Sequence, residues 1–398
     1  MRASRSWSTA DDVRAAVQRL WDQGRILAAR LNGEALFPLE VPLRGPGVAD
    51  MGEQFGAVRD WIAQLHAGSQ AVRGAGYTLL TREINHRQLG RQQLPVAALI
   101  ALDAHALRMI GRGLDARRFD QLAAETLAAF PELRDWVTGH GLAMLEQAEG
   151  WARVLAIVQW FRMHPRPGLY LRQLDIAGVD TKFIESRKAL LAELLDLVLP
   201  PASVQVDAVG ARQFEQRYGL LGKPPLIRFR MLDQALLIDG LQDLTVPLDQ
   251  FIALAPPAAR VYVTENEINM LAFPSLPDAM VIFGGGYAID RLRDIAWLHA
   301  RELVYWGDID THGFAILDRL RAYMPHARSL MMDAPTLHAH RALWGAEPQD
   351  KRFGGDLLRL SAAEHALFEE LRENVHGQHV RMEQERIGYG WVQNALGA

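Results

Sequence analysis

The sequence predicts a multidomain α/β protein with a mostly helical N-terminal region, a winged-helix segment, and a C-terminal α/β domain on a small parallel sheet. Three observations carry this prediction. Beyond Pro256-Pro257, short apolar runs alternate with amphipathic stretches, as strands alternate with crossover helices. Between residues 151 and 231 the order is helix, turn, longer helix, then β-prone runs, which is the order of a winged helix-turn-helix. At 398 residues and 49% hydrophobic, the chain has apolar material for two or three cores.

Residues 11–150 read as helical, with polar and Gly-rich interruptions. Asp11-Asp12 offers an N-cap for a helix that places Val13, Val17, Leu20 and Trp21 on one face. Residues 37–47 are rich in Pro and Gly and predict short strands or turns. Residues 95–108 and 119–130 predict amphipathic helices, and Pro131 opens another. No chemistry is legible in this third of the chain.

In the middle, residues 151–163 make a strongly apolar helix, stopped by His164-Pro165-Arg166-Pro167-Gly168. Asp180 predicts an N-cap for a helix over 181–199, because its carboxylate accepts from the free N–H groups of the first turn. Phe183, Ile184, Leu190, Leu191, Leu194 and Leu195 supply the buried face of that helix. Lys182, Arg187 and Lys188 remain for the polar side. The β-prone runs 204–209 and 226–231 follow. An ordinary helical subdomain with solvated basic residues fits the same pattern.

The last segment predicts strands over 260–264, 280–283, 302–306 and 327–332, and helices over 268–273, 288–299 and 313–323. Gly284-Gly285-Gly286 reads as a tight turn; without a following Lys-Ser/Thr it is no P-loop. The expected domains are 1–150, 151–255 and 256–398.

Charge and composition narrow the function classes. The net charge is −4, the acidic excess lies in 261–398, and 151–260 is mildly basic. That excludes a simple polycationic binder but not a DNA enzyme, whose acidic cluster offsets a basic groove. Cysteine is absent, which excludes a disulfide framework, a thiolate zinc site and a cysteine nucleophile. Arg2 and Arg5 precede no apolar run, and no stretch approaches the roughly 18–20 residues of a membrane span. A cytoplasmic location without membrane association is expected.

The most informative stretch is Tyr305-Trp306-Gly307-Asp308-Ile309-Asp310-Thr311-His312-Gly313. Asp308 and Asp310 stand at i and i+2 where a strand runs out, so their carboxylates share a face. Hard cations such as Mg²⁺ prefer such carboxylate oxygens. The plain alternative for Asp310 is a helix N-cap. Glu265 ends the strand before it and reaches toward the neighbouring strand end. Glu267 competes for that role, but belongs in a first helical turn where the dipole already favours a carboxylate. His312 stands two residues past Asp310, within reach of a phosphate or water.

A glutamate at one strand end and Asp-x-Asp after another resemble a Toprim domain. Longer strings are more specific: Tyr170-Leu171-Arg172-Gln173-Leu174, Gly178-Val179-Asp180-Thr181-Lys182-Phe183-Ile184-Glu185, Lys223-Pro224-Pro225, and Val263-Thr264-Glu265-Asn266-Glu267-Ile268-Asn269. With the Asp308 stretch they resemble the JetD family, nuclease subunits of bacterial Wadjet anti-plasmid systems and relatives of the topoisomerase VI A subunit and Spo11.

That resemblance implies a CAP-like winged helix, a Toprim domain, a homodimer and an SMC-type ATPase complex as partner. It implies Mg²⁺ or Mn²⁺ held by Glu265, Asp308 and Asp310, with Glu267 and His312 as auxiliaries. Arg172, Lys182, Arg187 and Lys188 would contact double-stranded plasmid DNA, with Lys223, Arg228 and Arg230 as further candidates. The N-terminal region would be a docking or dimer arm. The chain departs from topoisomerase relatives at Asp175 and Ile176, where those have their tyrosine pair. Hydrolysis by activated water is therefore expected. The alternatives are a topoisomerase-like transesterase using Tyr170 or Tyr218, and a non-catalytic DNA-binding scaffold.

Overall fold

The computed structural model describes residues 7–47, 50–51, 54–86 and 90–397, so Arg2 and Arg5 lie outside the described residues. The chain divides into two compact units, 1–222 and 223–398. Both mix helix and sheet. No described helix is long and apolar enough to cross a membrane.

The first unit opens on the helix Ala10–Asp22, whose N-cap is Thr9 rather than Asp11 or Asp12. Asp12 instead closes a capping box, accepting from the Thr9 N–H at 2.7 Å. Strands β1 (Leu39–Pro42), β2 (Thr78–His86) and β3 (Gly90–Ile100) form an antiparallel sheet in the order β1-β3-β2. The helix expected over 95–108 is thus strand as far as Ile100, and helix begins only at Asp103. Ala97 and Ala98 favour helix locally, but both pair across to β1 and β2, and this pairing overrides propensity. Helices pack on a core that includes Phe119, Trp136, Trp151, Phe161 and Phe214. Buried Trp151 keeps a partner for its indole N–H, the Thr126 hydroxyl at 2.8 Å.

Trp151–Met163 is helical as predicted, and Asp180 caps the next helix by accepting from the Phe183 N–H at 2.9 Å. The single helix expected over 181–199 is two, Thr181–Glu185 and Lys188–Val198. The break falls where Arg187 leaves helical dihedrals and its guanidinium turns back over the Phe183 ring. Residues 204–209 form no strand; the Gln205 N–H bonds the Arg217 carbonyl instead.

The second unit is built on six strands: β4 (Leu226–Met231), β5 (Asp243–Pro247), β6 (Arg260–Thr264), β7 (Ala279–Phe283), β8 (Glu302–Trp306) and β9 (Arg328–Ser329). Their order is β5-β4-β7-β6-β8-β9. The strands β7, β6, β8 and β9 are parallel, whereas β4 joins β7 antiparallel and β5 joins β4 antiparallel. The sheet is therefore mixed, and the unit begins at Lys223 rather than after Pro256. The reason is that Phe229, Arg230 and Met231 pair with Ile282, Val281 and Met280.

Val261, Val263, Met280, Val281, Leu303 and Tyr305 are almost fully buried, as expected of central parallel strands covered on both faces. The helix expected over 288–299 is two 3₁₀ turns, Gly286–Leu292 and Ala296–Ala300. A two-stranded ribbon, β10 (Gly345–Ala346) with β11 (Val380–Arg381), completes the unit.

Candidate metal and phosphodiester site

Strand β6 lies between β7 and β8, so the crossover leaving β6 and the one returning to β8 run to opposite sides. Such a switch point opens a crevice at the carboxyl ends of parallel strands. Glu265 follows β6 directly and Gly307-Asp308 follows β8, which brings the two loops together. A recess of about 200 Å³ there is lined by Glu265, Asp308, Asp310, His312, Glu347, Pro348, Lys351 and Arg381. All three principal residues singled out by the sequence, and His312, face one cavity. Glu267 does not line it; it opens the helix Glu267–Ala272 and pairs with Arg228 on β4.

Each carboxylate is oriented by a specific donor. Tyr305, fully buried, donates its hydroxyl to Glu265 Oε1. Asp308 Oδ1 accepts from the Gln384 backbone N–H at 2.9 Å. Asp310 caps the helix Thr311–Tyr323, with Oδ1 accepting from the Gly313 N–H at 2.7 Å. The sequence leaves metal ligand and N-cap open for Asp310; one oxygen caps, and the other pairs with Arg381 at 3.0 Å.

Two glycines are fixed by close approach. A Cβ on Gly307 would lie 2.5 Å from Glu265 Oε1, and one on Gly313 would collide with the Asp308 carbonyl oxygen.

The site is electrostatically loaded. Burial, and then the charges of Asp308 and Asp310, push Glu265 up to about 7 against the bond from Tyr305. Burial and the carboxylate of Glu347 push Asp310 up to about 7 against the Gly313 N–H. Burial and Glu265 raise the Tyr305 hydroxyl well above its ordinary value, so it stays a donor.

Three residues of the site lie outside the motifs that the sequence singles out. Glu347, only 3% exposed, accepts from the Thr311 hydroxyl at 2.8 Å and the His312 N–H at 3.1 Å. Gln384, 1% exposed, ties the loops after β6 and β8 together. Its Oε1 accepts from the Thr264 hydroxyl and the Asn266 N–H, each at 3.1 Å, and its Nε2 donates to the Trp306 carbonyl. Arg381 places its guanidinium between the two aspartates, 2.6 Å from Asp308 and 3.0 Å from Asp310. Ile309 and Met382 exchange backbone hydrogen bonds, which sets Arg381 and Gln384 on either side of the Asp308 loop. The one cue was the dense polar run Arg381-Met382-Glu383-Gln384-Glu385-Arg386.

The donor set suits a hard divalent cation in chemistry: carboxylate oxygens, two buried and mutually repelling, in a small recess. Among the described residues, no three acidic or histidine side chains stand as a ready coordination shell. Arg381 instead pairs with both Asp308 and Asp310.

The basic residues of the middle segment separate into two pairs. Lys188 is committed to Glu215 at 2.6 Å, and Arg187 to the Phe183 ring and Gln147. Arg172 and Lys182 are exposed and have no ion pair among the described residues. Arg228 is held by Asp243 and Glu267, and Arg230 by the carbonyls of Leu271 and Phe273. Of the two tyrosines in question, Tyr170 is exposed. Tyr218 is 1% exposed and donates to Asp196 at 2.7 Å.

A family model described as the C-terminal part of the Wadjet protein JetD matches residues 219–396. The chain belongs to the JetD family. A second model, of an N-terminal family described as an uncharacterized protein conserved in bacteria (DUF3322), matches residues 10–196. No curated protein matches the chain. Membership supports a role as a subunit of Wadjet defence. The first match begins within four residues of the second compact unit, so the family boundary and the physical one coincide.

Proposed function

We propose that the chain is a divalent-metal-dependent endonuclease that hydrolyses double-stranded plasmid DNA as the nuclease subunit of a Wadjet complex. The observation that carries this reading is the convergence of Glu265, Asp308 and Asp310 in one recess, at adjacent parallel strand ends of a JetD-family chain. We read the second unit as a Toprim domain, with its β4-β5 hairpin an extension of the parallel sheet. Residues 151–222 supply the DNA-holding element, of winged-helix type in its paired helices. Arg172 and Lys182 are its exposed phosphate contacts, giving salt-sensitive and sequence-independent binding. The active assembly is a homodimer, working with an SMC-type ATPase complex.

Glu265, Asp308 and Asp310 would hold Mg²⁺ or Mn²⁺ in this recess. When bound, the cation supplies Lewis-acid polarisation of the phosphodiester and makes water a usable nucleophile near neutral pH. The chain's own groups prepare the site: the Gln384 and Gly313 N–H groups fix the aspartate planes, and Tyr305 fixes Glu265. Lys351 and His312 line the recess where a phosphate oxygen would lie.

Hydrolysis is favoured over transesterification because Asp175 and Ile176 replace the tyrosine pair of the topoisomerase relatives and Tyr218 is sealed in the core. The test is a cleavage reaction on circular plasmid with Mn²⁺ and the partner complex, stopped in denaturant. The proposal expects protein-free DNA ends. Protein covalently attached to the ends would replace it with a transesterase using Tyr170, and uncut plasmid would favour a non-catalytic scaffold.

A further inference from the structure

The four aspartate oxygens of the recess are used in a regular way. One oxygen of each aspartate is held by a backbone N–H: Asp308 Oδ1 by Gln384 at 2.9 Å, and Asp310 Oδ1 by Gly313 at 2.7 Å. The other oxygen of each is held by the same guanidinium. Arg381 Nη2 lies 2.6 Å from Asp308 Oδ2, and Nε lies 3.0 Å from Asp310 Oδ2. The oxygens left to a cation are therefore those that Arg381 already takes. A guanidinium and a divalent cation both carry positive charge, and at this spacing in a recess of low dielectric they exclude one another.

We infer that Arg381 is a built-in counterion of the recess, which a divalent cation has to displace from Asp308 and Asp310 before the site is assembled. The inference rests on the metal-site reading above. The contact has the character of a replaceable one. Arg381 Nε is buried and meets Asp310 as an ion pair without hydrogen-bond geometry, so this half of the grip is poorly aligned. The side chain is 28% exposed, which leaves it a way out. A destination is present too: Nη1 already touches Glu383 Oε1 at 3.1 Å, on the β11 side of the recess. Displacement lets Arg381 pivot onto Glu383 without leaving the protein uncompensated. It also ties assembly of the metal site to the segment 380–386, since Arg381 and Gln384 both issue from it.

The same exclusion predicts that Arg381 sets cation affinity. The experiment is calorimetric titration of Mn²⁺ into the metal-free full-length chain as wild type, Arg381→Gln and Asp308→Asn. Removing the competing cation tightens Mn²⁺ binding by about ten-fold in Arg381→Gln, and Asp308→Asn abolishes it. A wild-type measurement stands beside the variant in case Arg381→Gln folds poorly. With ¹⁵N-labelled arginine, Mg²⁺ moves one protected Nε–H signal to the position of a solvated guanidinium. Equal or weaker Mn²⁺ affinity in Arg381→Gln, with the Nε–H signal unmoved in wild type, overturns the inference while leaving the metal site intact. Absence in the wild type of any binding that Asp308→Asn removes takes down the metal-site reading, and this inference with it.

Discussion

Replacing Gln384 by Ala strips partners from the Thr264 hydroxyl, the Asn266 N–H and the Trp306 carbonyl at once. Leaving buried polar groups unmade costs about 1–3 kcal/mol, so Gln384→Ala should lower stability by that amount in urea unfolding. Cleavage should fall further than stability explains, by about ten- to a hundred-fold, as loosened supporting bonds do in metal sites. A second residue-scale prediction concerns pH. Glu265 and Asp310 titrate near 7 in the folded chain against ordinary values of 4.5 and 3.8. The folded state therefore binds extra protons across that window, and stability of the metal-free protein falls as pH rises from about 4 to 7. Urea unfolding at several pH values checks this: Glu265→Gln with Asp310→Asn should flatten the slope, and an unchanged slope would assign it elsewhere. At this scale the sequence was readable where residues are close along the chain. Asp308, Asp310 and His312 share one loop, and Glu265 leaves a recognisable strand. Glu347, Arg381 and Gln384 arrive from segments with no periodicity of their own, brought in by the β10–β11 ribbon and the Ile309–Met382 pairing.

Elements that build the site were legible when their burial pattern was simple. Strands β6 and β8 have the predicted bounds because central parallel strands read as continuous apolar runs. Residues 95–100 of β3 fit a helical pattern because Ala97, Ala98 and Leu99 favour helix locally; pairing with two neighbours decides their state. The segment 288–299 also favours helix by its sequence pattern. Asp290 is held by Arg319, and Arg291 donates to the Leu226 carbonyl, so tertiary anchors shape it into separate turns. The helix Thr311–Tyr323, capped by Asp310, is clamped near its far end to the helix Ala362–Arg372 by the Arg321–Glu364 ion pair. Burial would raise Glu364, but bonds from Arg321, Ser329 and the Ser361 N–H outweigh it and hold it at about 2. Its folded value lies below the ordinary 4.5, so its contribution is present above about 4.5 and lost as pH falls toward 2. Glu364→Gln should therefore cost about 3 kcal/mol at neutral pH. Unfolding curves of variant and wild type should converge in acid, and a gap that persists at pH 2 would contradict the ion-pair account.

At the scale of the whole molecule, the alternation of strand-like and helical stretches anticipates α/β architecture and the composition more than one core, and the chain has two compact units. The expected boundary after Pro256 was placed by punctuation, since Pro-Pro interrupts the pattern there. Hydrogen bonding places Leu226–Met231 in the second unit instead, because a strand's membership depends on its neighbours and not on nearby prolines. The same sheet carries the two strand ends on which the proposed chemistry depends. Circular plasmid should be cut by wild-type chain with Mn²⁺ and its partner complex. Glu265→Gln and Asp308→Asn, each shown to be folded, should each reduce cutting by at least about a hundred-fold, the scale of losing charge stabilisation at a reacting phosphate. Cutting that survives both substitutions at the wild-type rate would contradict a nuclease centred on this recess.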